Sequence, residues 1–294
     1  MPIPQTNQGW IPDGGHNVVA IGLPTLKAAV PEILLDVEPS VPILLYRAYY
    51  DVLGGYPAYK AQEIGSCVGH SHAHAMDCLQ CVEIALGEPS EYRETSAEFV
   101  YAASRAIAGI LGPFDGSYGS AAVKALLRTG ACSREMLGPD GVDSGRIAKA
   151  WGRTGPPDRY VQAAVAFKLG AVARITDRAS AVSALWNGSP ITICSSQGFT
   201  MVRDRDGCCK PSGRWDHAMH ITGYDPGKKR YLIVQSWGPN TPQGPLYLDQ
   251  PDYSFWADAG VVERRIFSAG DSWALFRAPE FARRSLPSGW AKVA

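Results

Sequence analysis

Residues 62–77 read QEIGSCVGHSHAHAMD. The stretch holds Cys67, then His70, His72 and His74 at alternate positions, with Cys78 and Cys81 just beyond. Three readings compete: a metal site, a nucleophilic cysteine, and a buried helix rich in histidine. From Gly69 to Leu86 the sequence is helix-compatible, and Gly87 and Pro89 stop it. On that helix His70, His74, Cys78 and Cys81 share one face, through steps of four, four and three. Their span argues against zinc, because a rise of about 1.5 Å per residue sets His70 and Cys81 about 16 Å apart. Zinc donors lie about 2.0–2.3 Å from the metal, so one straight helix offers an adjacent pair and not four ligands. The expected role of His72 and His74 is packing or internal hydrogen bonding, and the sequence implies no metal and no cofactor.

Cys67 stands where the helix begins. A thiol there meets the partial positive charge of unpaired backbone N–H groups, which favours the thiolate, the nucleophilic form. Gly65 lets the backbone turn tightly into that position. The competing reading is a small buried cysteine at a helix start. His70 follows one turn later and is placed to tune the thiol, by charge if protonated or by a hydrogen bond if neutral.

Composition narrows the function classes. The chain of 294 residues suits one large domain or two lobes. Lys+Arg and Asp+Glu are both 28, so nothing electrostatic points to nucleic acid or to a membrane surface. No apolar run approaches the roughly 20 residues of a membrane span, and the N-terminus lacks a secretory signal pattern. The expected location is cytoplasmic or virion-associated. Seven cysteines without paired spacing suit a reducing compartment.

The chain divides into an N-terminal arm at 1–58, a helical lobe with the nucleophile helix at 59–160, and a β lobe at 161–294. Residues 1–16 read as extended. Helices are expected at Ser96–Leu111, Ala121–Arg128 and Gly145–Trp151, each with a Gly or Pro signal nearby. In the second half AVAFKLGAVARI (164–175) reads as a strand and ASAVSALWNG (179–188) as a short helix. SPITICSSQGF, HAMHITGYD, RYLIVQSW and SWALFRAP read as strands. Helices followed by strands give an α+β class.

A thiolate nucleophile needs a histidine close in space rather than in sequence. His16, His217 and His220 are the ones outside the cluster. In WDHAMHITGYD, His217 and His220 fall on opposite faces of a strand, so one can face a cleft while the other packs. Downstream, Gln235 is placed to accept from an imidazole N–H, and Trp237 to shield that bond from water.

These segments, taken in order, resemble those of the papain-like cysteine peptidases. QEIGSC resembles the nucleophile segment. GSYGSAAVKALLRTGACSREM resembles the Gly/Ser-rich turn and helix that follow it. DHAMHITGYD resembles the histidine segment, and RYLIVQSWG the Asn-Ser-Trp-Gly segment. The resemblance covers roughly residues 60–245. It implies an α+β papain-like two-lobed fold, a helical lobe plus an antiparallel β lobe with the active-site cleft between. It further implies Cys67 as nucleophile, His217 as general acid and base, and Gln235 in the place of the orienting Asn. Trp237 becomes the aromatic shield, with His70 as a supporting residue. The Cys67 N–H and the Gln62 amide form the implied oxyanion hole.

Two positions depart from the family pattern. Gln235 stands in place of Asn, one methylene longer. Gln62 stands five residues before the Cys rather than six. Ile64 occupies the place of a cysteine that many secreted members carry. The implied function is a peptidase acting on a polypeptide through a Cys67 acyl-enzyme. Two alternatives stay open: a catalytically weakened structural or binding component, for example of a phage particle, and a Cys–His amidase acting on peptidoglycan peptides. The N-terminal arm suits docking to a protein partner.

Overall fold

The computed structural model describes residues 8–12, 22–31, 33, 37–59, 61–141, 144–277, 286–287 and 290. His16 lies outside them. In chain order the elements are the single turn α1 (Leu26–Ala29), strand β1 (Ile43–Leu44) and helix α2 (Ala48–Leu53). The helices α3 (Cys67–Ala85), α4 (Ala97–Ala108), α5 (Gly119–Arg128), α6 (Ser144–Thr154) and α7 (Asp158–Ala164) follow. Then come β2 (Ala171–Arg174), α8 (Arg178–Trp186), β3 (Ile191–Phe199), β4 (Pro211–Asp225), β5 (Arg230–Val234), β6 (Ser254–Asp258) and β7 (Asp271–Phe276).

Local signals explain most of these boundaries. Ser96 caps α4 by accepting from the Phe99 N–H at 3.1 Å, and Gly109 closes it in the left-handed conformation at φ 69°. Asp177 caps α8 in the same way, accepting from Ser180 N at 2.8 Å. Residues 43–53 are both strand and helix, ending at Gly54 with φ 74°, and Leu44, Leu45 and Tyr46 lie in the main core. The segment 164–175 departs from the strand reading. It holds the end of α7, a 3-10 turn at Val165–Phe167 and only then β2. Pro157 fixes the entry to a helix in which Asp158 complements the N-terminus, and Gly170 separates that helix from the strand. Strand β6 has no counterpart in the sequence reading.

The strands form one sheet in the order β2-β7-β3-β4-β5-β6, with β1 pairing β4 and every pair antiparallel. Most residues of β3 and β5 are buried; β5 reads as a near-continuous apolar run, whereas β3 buries Thr192, Ser195 and Gln197 among its apolar residues. The pleat sends Ile193, Met219 and Ile221 into the core of the β lobe. Cys194, Ala218, Trp273 and Leu275 face the core shared with α3 and α5. Register is what places the site: Cys194 pairs with Ala218 on one side and with Asp271 on the other. Ala218, Cys194 and Asp271 therefore stand in one row on the face turned to the helical lobe.

Helix α3 is the spine between the lobes. Sixteen of its 19 residues are buried, so it has no solvent stripe. Gly69 is required there, because a Cβ would sit 2.4 Å from Ala97 O and 2.6 Å from Tyr101 Cβ of α4. No described helix is long and apolar enough to cross a membrane.

Candidate active site

Cys67 is the first residue of α3, at the boundary between helix and sheet. Its Sγ accepts from the Ala218 N–H at 3.3 Å, which sets the thiol against the residue after His217. The side chain is fully buried. Burial pushes the thiol up to about 12, although the N–H groups of Ala218, Gly9 and Val68 and its own N–H pull the other way. The helix-start argument expected a lowered value. Its donors are present and act in that direction, but loss of water outweighs them. The proton stays on sulfur in this conformation.

His217 lies on β4 with its ring stacked on Trp237, centroids 4.2 Å apart and planes at 27°. The antiparallel pairing of β4 with β5 brings the two chains past each other at this point. Both ring nitrogens are buried, and neither has a hydrogen-bond partner among the described residues. Burial, with a smaller contribution from His70, lowers its value to about 3. Gln235 makes no bond to this ring. Its Oε1 accepts from the Trp237 N–H at 2.7 Å, and its Nε2 is buried without a partner. The extra methylene accounts for this: the amide reaches back to its own backbone two residues on. Asn240 is exposed in the turn that follows.

Gln62 ties the loop before Cys67 to the end of β5. Its Oε1 accepts from Ser236 Oγ at 2.6 Å, and its N–H donates to Ser236 O at 2.9 Å. Its Nε2 donates to Ile64 O at 3.0 Å. His70 is buried, and burial holds it neutral with a value lowered to about 4. Of its two expected modes, burial disfavours the charged one, and the ring Nδ1 has no partner among the described residues. His70 belongs to a layer of five histidines between α3 and β4. His74 stacks on Tyr59 at 3.6 Å, with His70 at 5.7 Å and His220 at 6.0 Å from it. His72 Nδ1 donates to Val68 O at 2.8 Å. Cys208 and Cys209, adjacent in the segment before β4, are buried and free, packed in the β-lobe core.

The cleft is covered by the chain's own N-terminal arm. The Gly9 and Trp10 N–H groups both donate to Asp216 O at 3.2 Å. Ser117 N donates to Gly9 O at 2.9 Å, and Ile11 N to Ser117 O at 3.0 Å, a short parallel bridge. Gly9 lies so close to the loop before Cys67 that a Cβ would fall 2.0 Å from Gly65 O. The Trp10 indole is 8% exposed, and its Nε1 donates to Asp271 Oδ2 at 2.8 Å. Gln8, Trp10, Ser117, Asp216 and Asp271 thus join Cys67 in the cleft. Sequence reading singled out the Gly-Ser-Tyr-Gly turn but not Ser117 itself, and it sent the arm outward. The available signal was Trp10, the one tryptophan of the arm.

No family model matches the sequence, and no curated protein does. Solved structures do match. Xylellain, a cysteine protease from Xylella fastidiosa, aligns with a TM-score of 0.62 and 17% identity, over 95% of this chain and 98% of that one. Digestive procathepsin L2 from the larval midgut of Tenebrio molitor aligns at 0.57 and 17% identity, over 92% and 78%. Procathepsin B from Trypanosoma congolense aligns at 0.57 and 10% identity, over 92% and 85%. At these identities the likeness is one of fold.

Proposed function

The chain has the papain-like fold, and from that premise we propose that it is a cysteine peptidase using Cys67 as nucleophile and His217 as general acid and base. The observation that carries the reading is the contact of the Cys67 thiol with Ala218 N at 3.3 Å. It sets a helix-start cysteine against the backbone one residue after His217, whose ring is stacked on Trp237. Cys67 Sγ attacks the carbonyl carbon of a polypeptide, and His217 receives the thiol proton. The C–N bond breaks as His217 returns that proton to the leaving amine. A water then gives a proton to His217 and attacks the thioester, releasing the acid and restoring the thiol. The Cys67 N–H at the helix start serves the developing oxyanion. Gln62 contributes there once its Nε2 exchanges Ile64 O for the substrate oxygen.

The covered state is chemically silent. With the thiol near 12 and the imidazole near 3, the neutral pair is favoured over thiolate and imidazolium. Departure of residues 8–12 admits water, relaxes both shifts and opens the path for a carbonyl. The test is proteolysis of an unfolded protein by wild type, Cys67→Ala and His217→Ala, with the acyl-enzyme sought by mass spectrometry. Cleavage abolished in both variants is the expected result.

A second reading, an inert papain-like binding module, draws on the absent Gln235–His217 bond and the unpartnered His217 nitrogens. It requires no cleavage by Trp10→Ala, a variant designed to loosen the arm, together with ligand binding indifferent to Cys67→Ala.

A further inference from the structure

Asp271 is a buried carboxylate at the N-terminus of α5, and the chain supplies most of its partners. Gly119 N donates to Oδ2 at 2.9 Å, Trp273 Nε1 to Oδ1 at 2.7 Å, and the Ser120 N–H adds to them. The Cys194 thiol also bonds the carboxylate, and a further donor, the Trp10 indole, comes from the arm. The indole sits in the same apolar cluster as Cys67, Cys194, Ala218 and Trp273. It is delivered by a backbone bonded to Ser117 on both its N–H and its C=O, one residue from the Gly9 N–H aimed at the Cys67 thiol. An extended polypeptide can take the same Ser117 groups when the arm leaves. Its side chain then enters the space vacated by Trp10.

We propose that this space is the specificity pocket for the polypeptide substrate, and that Asp271 selects a tryptophan side chain through its indole N–H. The substrate role rests on the peptidase reading; the recognition of an indole does not. Three features favour a neutral aromatic donor. The pocket already holds an indole, its surroundings are apolar, and three N–H groups of the chain already spread the carboxylate's charge. A phenylalanine would leave the donor position of the indole empty. A lysine or arginine would bring a full charge into a site nearly dry.

Trp10→Ala in the full chain empties the pocket and loosens the arm. Indole is expected to raise the melting temperature of this variant and leave wild type unmoved. Benzothiophene, the same shape with sulfur in place of N–H, is expected to bind roughly tenfold more weakly. Asp271→Asn in the Trp10→Ala background should bring the two ligands closer together. The same Trp10→Ala chain is then incubated with a peptide library and its cleavage sites are read by mass spectrometry. Tryptophan enriched at one fixed position within two residues of the cut supports the proposal. Cleavage with no such enrichment, or with lysine or arginine instead, overturns it and leaves the peptidase reading standing. Indole binding without any cleavage supports recognition by Asp271 and sinks the peptidase reading. Equal binding of indole and benzothiophene, or no binding of either, overturns the role of Asp271 whatever the cleavage result.

Discussion

Trp10→Ala is expected to unlatch the arm and expose Cys67. The indole is 8% exposed and bonded to Asp271 at 2.8 Å. Burial of about 200 Å² of aromatic surface at about 25 cal/mol per Å² corresponds to about 5 kcal/mol, and tryptophan truncations in cores cost about 3–5 kcal/mol. The backbone bonds of Gly9, Trp10 and Ile11 survive the substitution. Assigning about 3 kcal/mol of the loss to local opening raises the open population by about a hundredfold. Iodoacetamide modification of Cys67, followed by peptide mass spectrometry at a fixed pH, reads that population. Cys132 lies in a separate core cluster and serves as the internal control. The expected result is Cys67 accelerated by about two orders of magnitude with Cys132 unchanged. An unchanged Cys67 rate would refute the latch. Equal acceleration of all seven thiols would replace it with general unfolding.

Other consequences follow from the same contacts. In wild type, Cys67 is expected to react more slowly than a free thiol at pH 6, since burial holds it near 12; preferential labelling at that pH would contradict the covered state. Gln235→Ala should lower kcat by less than about tenfold, because the amide bonds Trp237 N rather than His217. Trp237→Ala should cost about 3–5 kcal/mol in a urea titration and abolish cleavage. Gly69→Ala should lower the melting temperature by a cost of about 1–3 kcal/mol, since α3 cannot otherwise approach α4 so closely. Acid should destabilise the fold. His70 and His72 are lowered to about 4 and His217 and His220 to about 3, with His74 also lowered. Below about pH 6.5 the unfolded chain therefore takes up protons that the folded chain refuses. Each histidine contributes up to about 1.4 kcal/mol per pH unit as the pH falls toward those values. Asp77, raised to about 8 by burial, acts oppositely and erodes stability as pH rises from about 4 to 8. Urea midpoints flat between pH 6 and 4 would refute the neutral histidine layer.

Much of the fold was legible because its signals are local. Ser96 at the start of α4, Gly188 after α8 and the apolar run of β5 each announce an element locally, although α4 closes at Gly109, short of the expected Leu111. The order of GSC, DHAM and QSWG identified the fold, and the structure brings Cys67 beside the strand of His217. What escaped was long-range. The Trp10–Asp271 bond spans 261 residues, and no periodicity encodes it. The thiol's environment was misjudged for the same reason, since a helix-start argument counts N–H donors and cannot count the water removed by a distant arm. The segment 164–175 misled because its apolar letters fit a helix end and a short strand equally well.

Because the segment covering Cys67 belongs to the same chain, its association with the cleft is unimolecular. A tether of this kind presents its ligand at a millimolar effective concentration that dilution cannot lower. A free peptide with identical contacts therefore displaces it only when supplied above that level. A single covalent cut between the arm and the body converts a concentration-independent closure into one that falls away with dilution.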